Sequence, residues 1–317
     1  MSFSQRLAGY APDRDTVLTV GVFDGVHLGH RHLLDHLIDW AAPGCAPAVI
    51  TFSNRPVTVF RPGTFPSYLT TPEHKVDLLR AAGIELVVPM EFTEELSQVS
   101  ARRFAELLCG SLRMKGLVLG PDSALGQGRE GDMTYMQGEG DRLGFWVRSV
   151  PPLEINGQPV KSRVIREALV AGDVAGGARL LGRNHSLSGT VVVGDQRGRT
   201  LGFPTANINI YPGLLWPGDG IYATWAYFGG QRYLSATSIG VRPTFGLTQR
   251  LVEVYVMDFS GDLYGQPMSV EFVEKVRNQE TFADIDALIA RIEQDVADSR
   301  VVLAQTTPTS PLPQGEG

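Results

Sequence analysis

Cysteine is nearly missing from this chain: Cys45 and Cys109 are the only two in 317 residues. Neither forms a CxxC pair or lies near a histidine cluster, so disulfide and zinc readings are weak and buried free thiols are expected. No run of about 18 apolar residues is present to span a bilayer. The opening MSFSQRLAGY holds no apolar stretch of signal-peptide length. A cytoplasmic protein without a membrane partner is therefore expected. Long basic runs are also lacking and the formal net charge is −6, which argues against broad nucleic-acid binding. Small anionic ligands remain open, since they need only local donors. The stretch 305–317, rich in Pro, Thr, Ser and Gly without apolar periodicity, predicts a disordered tail with no catalytic role. Oligomeric state is left open.

What is present describes an ordinary globular chain of two domains, 43% hydrophobic and 20% charged. Up to about residue 180, candidate strands at 16–20, 48–52, 85–90, 116–119 and 145–150 alternate with helical patterns, which predicts a parallel sheet covered on both faces. Thr71 with Pro72, and Ser100, suit helix starts. From Asn184 onward short β-rich runs follow one another at 189–193, 221–228, 233–239, 251–259 and 268–273, with Phe228-Gly229-Gly230-Gln231 as a hairpin turn. A small antiparallel barrel or sandwich is expected there. It is closed by one helix in which Ile285, Leu288, Ile289, Ile292 and Val296 form the packing stripe. The boundary is placed at 181–186, after helical segments at 163–170 and 173–181, giving domains 1–182 and 183–304 ahead of the tail.

The most informative segment is GVFDGVHLGH at 21–30. It joins the strand at 16–20 to a helix marked by Leu33, Leu34, Leu37 and Ile38, so it lies where unpaired backbone N–H groups and the helix dipole favour an anion. Gly21, Gly25 and Gly29 are read as letting the main chain approach a phosphate. His27 and His30 add side-chain donors where charge builds up in nucleotide cleavage. These ten positions resemble the HxGH nucleotidyltransferases, and the longer GxFDGxHxGH form resembles their flavin-adenylating branch. The resemblance implies a Rossmann-like domain in which Gly21, Phe23, Asp24, Gly25 and Gly29 bind ATP and both histidines act in catalysis.

A second run, GDQRGRTLGFPTAN at 194–207, resembles the GFPTAN motif of riboflavin kinases. That resemblance implies a β-barrel kinase domain in which Thr205 and Asn207 hold magnesium and the ATP phosphates, beneath a flap containing Gly198, Gly202 and Pro204. An alcohol is a weak nucleophile near neutral pH, so a carboxylate base is expected. Glu253 is the candidate: it points away from the face shared by Val252, Val254 and Val256. It also matches the family's VEVH strand, with Tyr255 for His. DFSGDLYG at 258–265 resembles the family's DFxGDLYG signature.

Together the halves resemble the bacterial enzymes that combine riboflavin kinase with FAD synthetase. The resemblance implies ATP as co-substrate, Mg2+ as cofactor, and riboflavin, FMN and FAD as small-molecule substrates and products. Departures fall mostly in the first domain. VKSRVIR at 160–166 stands for an SSTxIR segment, keeping Ser162 and Arg166 as ATP contacts but placing Lys161 and Arg163 where hydroxyls are usual. GPDSALG at 120–126 stands for GxDFRFG, with Asp122 as an implied flavin contact and Ser123 for an aromatic. Arg55 replaces His in a TFxNHP loop. In the second domain SIGVRPTF at 238–245 follows NIGxRPTF apart from Ser238, and Arg277-Asn278-Gln279 stands for RxE. Arg242 and Arg277 are the implied flavin contacts. The runner-up reading is a riboflavin kinase with a weak first domain. A non-catalytic flavin or nucleotide sensor is a third, and another HxGH enzyme explains only the first half.

Overall fold

The structure, a computed structural model, describes residues 3–41, 44–61, 67–194, 197–244 and 247–309. The chain divides into two compact units, Met1–Pro66 with Thr70–Lys161, and Ser67–Leu69 with Ser162–Gly317.

The first unit carries five parallel strands: β1 (Thr16–Gly21), β2 (Ala46–Phe52), β3 (Leu86–Met90), β4 (Met114–Leu119) and β5 (Trp146–Ser149). They lie in the order β3-β2-β1-β4-β5. β2 is buried at every position, as a strand covered on both faces must be. Its alternate residues Ala48 and Ile50 join a core with Phe3 and Leu7 of α1 (Phe3–Ala8), Phe104 and Leu108 of α6 (Ala101–Leu112) and Met136 of α7 (Met133–Leu143). Val49 joins the opposite core with Leu34 and Leu37 of α2 (Leu28–Ala41) and Leu79 of α4 (Pro72–Ala81). The shorter elements are α3 (Pro56–Phe60), α5 (Glu94–Ser97) and the ribbon of β6 (Glu154–Ile155) and β7 (Gln158–Pro159). Thr71 and Ser100 cap as expected, accepting from His74 N and Arg103 N at 3.2 Å each. Strand order reverses between β1 and β4, so the carboxyl end of β1 is the switch point at which open α/β sheets bind ligands.

The second unit is a closed antiparallel barrel, β10-β11-β12-β9-β8-β13. It comprises β8 (His185–Val192), β9 (Thr205–Ile210), β10 (Gly220–Phe228), β11 (Gln231–Thr244), β12 (Leu247–Val256) and β13 (Pro267–Arg277). The hairpin at 228–231 is the one expected: Gly229 and Gly230 adopt φ of 55° and 72°, and Phe228 pairs with Gln231. The interior is filled by residues such as Leu187, Ile208, Tyr222, Ile239, Val254 and Phe272. α8 (Ser162–Val170) and α9 (Val174–Leu181) add Ile165, Leu169, Val174 and Leu181 to the same core. For that reason the compact unit starts at Ser162, ahead of the boundary expected at 182/183. A short helix, α10 (Arg197–Thr200), precedes β9, and α11 (Ile285–Ala304) lies over Ala223, Trp225 and Val273 on the outer barrel face through Leu303.

Three expectations need correction. The stripe assigned to α11 is not the buried one: Ile285 is 62% exposed, Leu288, Ile289, Ile292 and Val296 are half-buried, and Asp295, Ser299 and Leu303 are covered. An ion pair decides this, because Asp295 receives Arg277 at 2.7 Å. Cys45 and Cys109 are half-buried free thiols, and burial raises the Cys109 pKa. The tail is not loose from 305: Thr306 Oγ1 donates to Val302 O at 3.3 Å, and Thr309 donates from N and Oγ1 to the buried Glu271. Residues 310–317 of the expected tail lie outside the described residues.

Candidate active sites

In the first unit the loop from β1 to α2 is built under backbone strain. Phe23, Gly25 and Val26 adopt φ of 51°, 84° and 38°, of which only the glycine is at ease. The ring of Phe23 folds back over Gly21, where an added Cβ would stand 2.9 Å away, and the carbonyl of Val160 stands 2.7 Å from a Cβ at Gly29. These glycines are thus required by contacts inside the protein, where the sequence suggested approach to a phosphate. His27, only 4% exposed, caps α2: its Nδ1 accepts from His30 N at 3.2 Å. A ring nitrogen that accepts carries no proton, so neutral His27 holds its proton on Nε2 as a donor. The two imidazoles stack at 3.6 Å with 15° between planes, and Phe23 packs on His30 at 5.0 Å.

Beneath the loop lies a residue that sequence reasoning missed. Lys75 of α4 is 5% exposed and donates to Val22 O at 3.0 Å and to Phe52 O, tying together the ends of β1 and β2. Burial pulls its pKa from 10.5 to about 8, against the upward pull of the Asp24 carboxylate. Asp24 is itself 3% exposed. The available signal was spacing: Lys75 precedes Leu79 by one helical turn and shares its buried face. Thr51 Oγ1 also donates to Val22 O at 3.0 Å, and Thr70 Oγ1 accepts from Gly25 N at 3.3 Å.

The surrounding loops divide between framework and surface. Asn54 clamps Phe92 through both backbone groups, at 2.8 and 2.7 Å. Asp122 is exposed and pairs with Lys161 Nζ at 2.8 Å, which holds its carboxyl below the usual range. Arg163 Nε pairs with Glu167 one turn along α8 at 2.7 Å. The charges that replace hydroxyls at 161 and 163 are therefore each engaged by a nearby carboxylate. Ser162 opens α8, and Arg166 Nε donates to Ser67 O at 2.8 Å, both within the second unit.

The barrel brings Thr205, Asn207 and Glu253 together by strand register. Glu253 pairs with Asn207 across β12 and β9, and Tyr255 with Thr205. Opposed residues share a face, so the hydroxyl, the amide and the carboxylate stand on the outer surface while Val252, Val254, Ala206 and Ile208 fill the interior. Glycines again mark close approach: a Cβ at Gly194 would meet Asn207 Nδ2 at 2.3 Å, and one at Gly198 would meet Phe203 O at 2.3 Å and Thr205 Oγ1 at 3.3 Å. Gly202 needs its φ of 87° to turn the chain into Phe203-Pro204, and Phe203 packs on Tyr255 at 5.4 Å. Residues 195–196 of this run, and the side chain of Arg242, lie outside the described residues.

The DFSGDLYG segment has a structural task. Phe259 packs edge-to-face with Phe228 and Tyr233 at 5.0 and 5.4 Å, Gly261 makes room for that ring, and Asp262 Oδ1 accepts from Tyr264 N at 3.0 Å. Arg277, an expected flavin contact, gives Nε and Nη2 to the Asp295 carboxylate at 2.7 Å each. Among the described residues no group of three or more His, Cys, Asp or Glu side chains is arranged to hold a metal ion. None of their helices is long and apolar enough to cross a membrane.

Two family models match: FAD synthetase over residues 10–164 and riboflavin kinase over residues 181–303. The chain is 36% identical over 301 residues to the bifunctional riboflavin kinase/FMN adenylyltransferase of Escherichia coli, covering 94% of this chain and 96% of that one. It is 35% identical over 286 residues to the Haemophilus influenzae protein of the same description, with 89% and 92% covered. A solved structure from Streptococcus pneumoniae, described as a macrolide-efflux protein, superimposes with a TM-score of 0.84 at 26% identity over 93% of this chain and 96% of that one. With both family regions present in order and relatives matched along nearly their whole length, the chain belongs to the family of bifunctional riboflavin kinase/FMN adenylyltransferases.

Proposed function

We propose that this chain phosphorylates riboflavin to FMN with ATP in its barrel unit and adenylates FMN to FAD in its sheet unit, releasing pyrophosphate. The observation that carries the reading is the register that sets Glu253 opposite Asn207 and next to Thr205, on a chain that also holds the strained, histidine-bearing turn at the end of β1.

The two sites face different chemical problems. In the barrel the nucleophile begins as the neutral hydroxyl of riboflavin. Glu253 takes its proton as the oxygen attacks the terminal phosphorus of ATP and ADP leaves. The groups at Thr205 and Asn207 are a hydroxyl and an amide carbonyl, hard oxygens of the kind magnesium selects alongside phosphate oxygens and water. Magnesium bound there would neutralise phosphate charge. Gly194, Gly198 and Gly202, with Pro204, shape the loop against these two side chains.

In the sheet unit the phosphate of FMN is already anionic, so no base is needed. Its oxygen attacks the α-phosphorus of ATP and the bond to pyrophosphate breaks. The backbone N–H groups opening α2, with His27 and His30, stabilise the charge that develops on the phosphates. Gly21, Phe23, Asp24, Gly25 and Gly29 set the shape of that turn, whereas Ser162 and Arg166, the other expected ATP contacts, belong to the second unit. Asp122 and Arg242 are assigned to the flavins. Arg277, committed to Asp295, serves by fixing the segment after β13. The use of ATP and flavins as substrates is in keeping with a cytoplasmic enzyme. The reading of a kinase with a weak first domain is not favoured, because the FAD synthetase match spans 10–164 and Lys161 and Arg163 are paired with Asp122 and Glu167.

Chromatography of products from the purified protein with magnesium, ATP and either riboflavin or FMN tests this directly. FMN and FAD are expected from riboflavin, and FAD from FMN. Failure to convert FMN would remove the second activity.

A further inference from the structure

The segment that follows β13 reaches back to the strand beside Glu253. Gln279 is exposed, yet its amide is not left to water: Nε2 donates to Ser238 Oγ at 3.1 Å and to Ile239 O at 2.9 Å. The next residue is shaped around it as well, since a Cβ at Gly240 would stand 2.7 Å from the same nitrogen. Three consecutive positions of β11 thus form a seat for one amide. Ser238 is paired with Glu253 across β11 and β12, so the two side chains share a face with Cβ atoms about 5 Å apart.

Donor and acceptor roles follow. Ser238 Oγ accepts from Gln279 and keeps its own proton to give, while an ionised carboxylate only accepts. The seat is anchored on both sides. Arg277, two residues earlier, grips Asp295 of α11 through two 2.7 Å bonds, and Glu280, one residue later, lies 3.5 Å from Arg291 of the same helix.

We propose that Ser238 and Gln279 are positioning residues for the kinase reaction: Gln279, braced on α11 through Arg277 and Glu280, holds Ser238 so that its hydroxyl fixes the Glu253 carboxylate. This rests on the reading of Glu253 as the base. A base displaced by about 1 Å can cost up to about a hundredfold in rate, so a group that fixes it matters without touching substrate.

The test is a mutant cycle on the full-length protein, with riboflavin phosphorylation and FMN adenylylation assayed in each preparation. Gln279→Ala and Ser238→Ala should each lower kcat for FMN formation about tenfold with little change in the KM for ATP, and the double variant should fall no further than either single. Ser238→Thr, which keeps the hydroxyl, should retain most of the rate. In a Glu253→Gln background, Gln279→Ala should have no further effect. FAD formation from FMN should persist throughout and reports that the sheet unit is intact, while an unchanged KM for ATP and the retained rate of Ser238→Thr report that the barrel is folded. Wild-type kcat in Gln279→Ala, losses that multiply in the double variant, or a loss confined to KM would overturn the proposal. If Glu253→Gln itself phosphorylates riboflavin normally, the underlying assignment of the base fails instead.

Discussion

The two units solve phosphate chemistry with different parts of the chain. In the sheet unit the proposed site is a loop: its assigned donors are main-chain N–H groups and two stacked imidazoles, and its shape is held from beneath by Lys75, Thr51 and Thr70. In the barrel unit the proposed site is a ladder: Thr205, Asn207 and Glu253 sit on two paired strands, and register alone brings them side by side. A loop can wrap an anion with backbone dipoles but must be strained and braced to do so. A ladder places a proton acceptor to within the tolerance of a β-sheet but offers no concave backbone, so a glycine-containing segment must fold against it. The difference follows the nucleophile, which is an anion in one reaction and a neutral alcohol in the other.

The largest contrast is expected at the base. Glu253→Gln should reduce riboflavin phosphorylation by about a hundredfold to ten-thousandfold and leave FAD formation from FMN intact, measured as initial rates on one preparation.

Next comes the brace of the loop. Gly29→Ala puts a Cβ at 2.7 Å from the Val160 carbonyl, an overlap of backbone that costs about 1–3 kcal/mol. FAD formation should fall about tenfold or more while riboflavin phosphorylation is kept. Equal loss of both reactions would mean that the overlap unfolds more than the loop.

The pH responses should also diverge. Lys75 has a folded pKa of about 8 against an ordinary 10.5, so between those values the unfolded chain binds more protons and the sheet unit gains stability as pH rises. His185, buried in the barrel and bonded to Leu215 O at 2.9 Å, has its pKa lowered by burial from 6.5 to about 4. The barrel should therefore lose stability as pH falls from 6.5 toward 4. Denaturant titrations of wild type, Lys75→Met and His185→Gln across pH check both signs: each variant should flatten only its own limb.

The smallest effect is expected at Lys161→Ser. Both partners of its ion pair are exposed, at 53% and 78% of the side chain, and such pairs contribute little. The melting temperature should not move measurably, and FAD formation should survive.

Much of this was legible in the sequence where a local pattern carries the information. The alternation of apolar runs with helical spacing located the sheet strands to within a few residues, Thr71 and Ser100 announced their helices, and the Gly229-Gly230 pair announced its hairpin. The positions of His27, His30, Thr205, Asn207 and Glu253 followed from motifs. What stayed hidden depends on partners distant in sequence. Lys75 reads as a surface lysine until the carbonyls of Val22 and Phe52 converge on it. Hydropathy put the apolar stripe of α11 inside, and the Arg277–Asp295 pair turned a different face inward. Helices α8 and α9 read as the end of the sheet domain because periodicity does not say which core a helix joins.

A reciprocal assay tests the division of labour most directly: purified His30→Ala and Glu253→Gln, each given magnesium and ATP with riboflavin and, separately, with FMN. His30→Ala should accumulate FMN from riboflavin and form little FAD, whereas Glu253→Gln should form FAD from supplied FMN and little FMN from riboflavin. Loss of both reactions in either variant, or of neither, would contradict the assignment of one reaction to each unit.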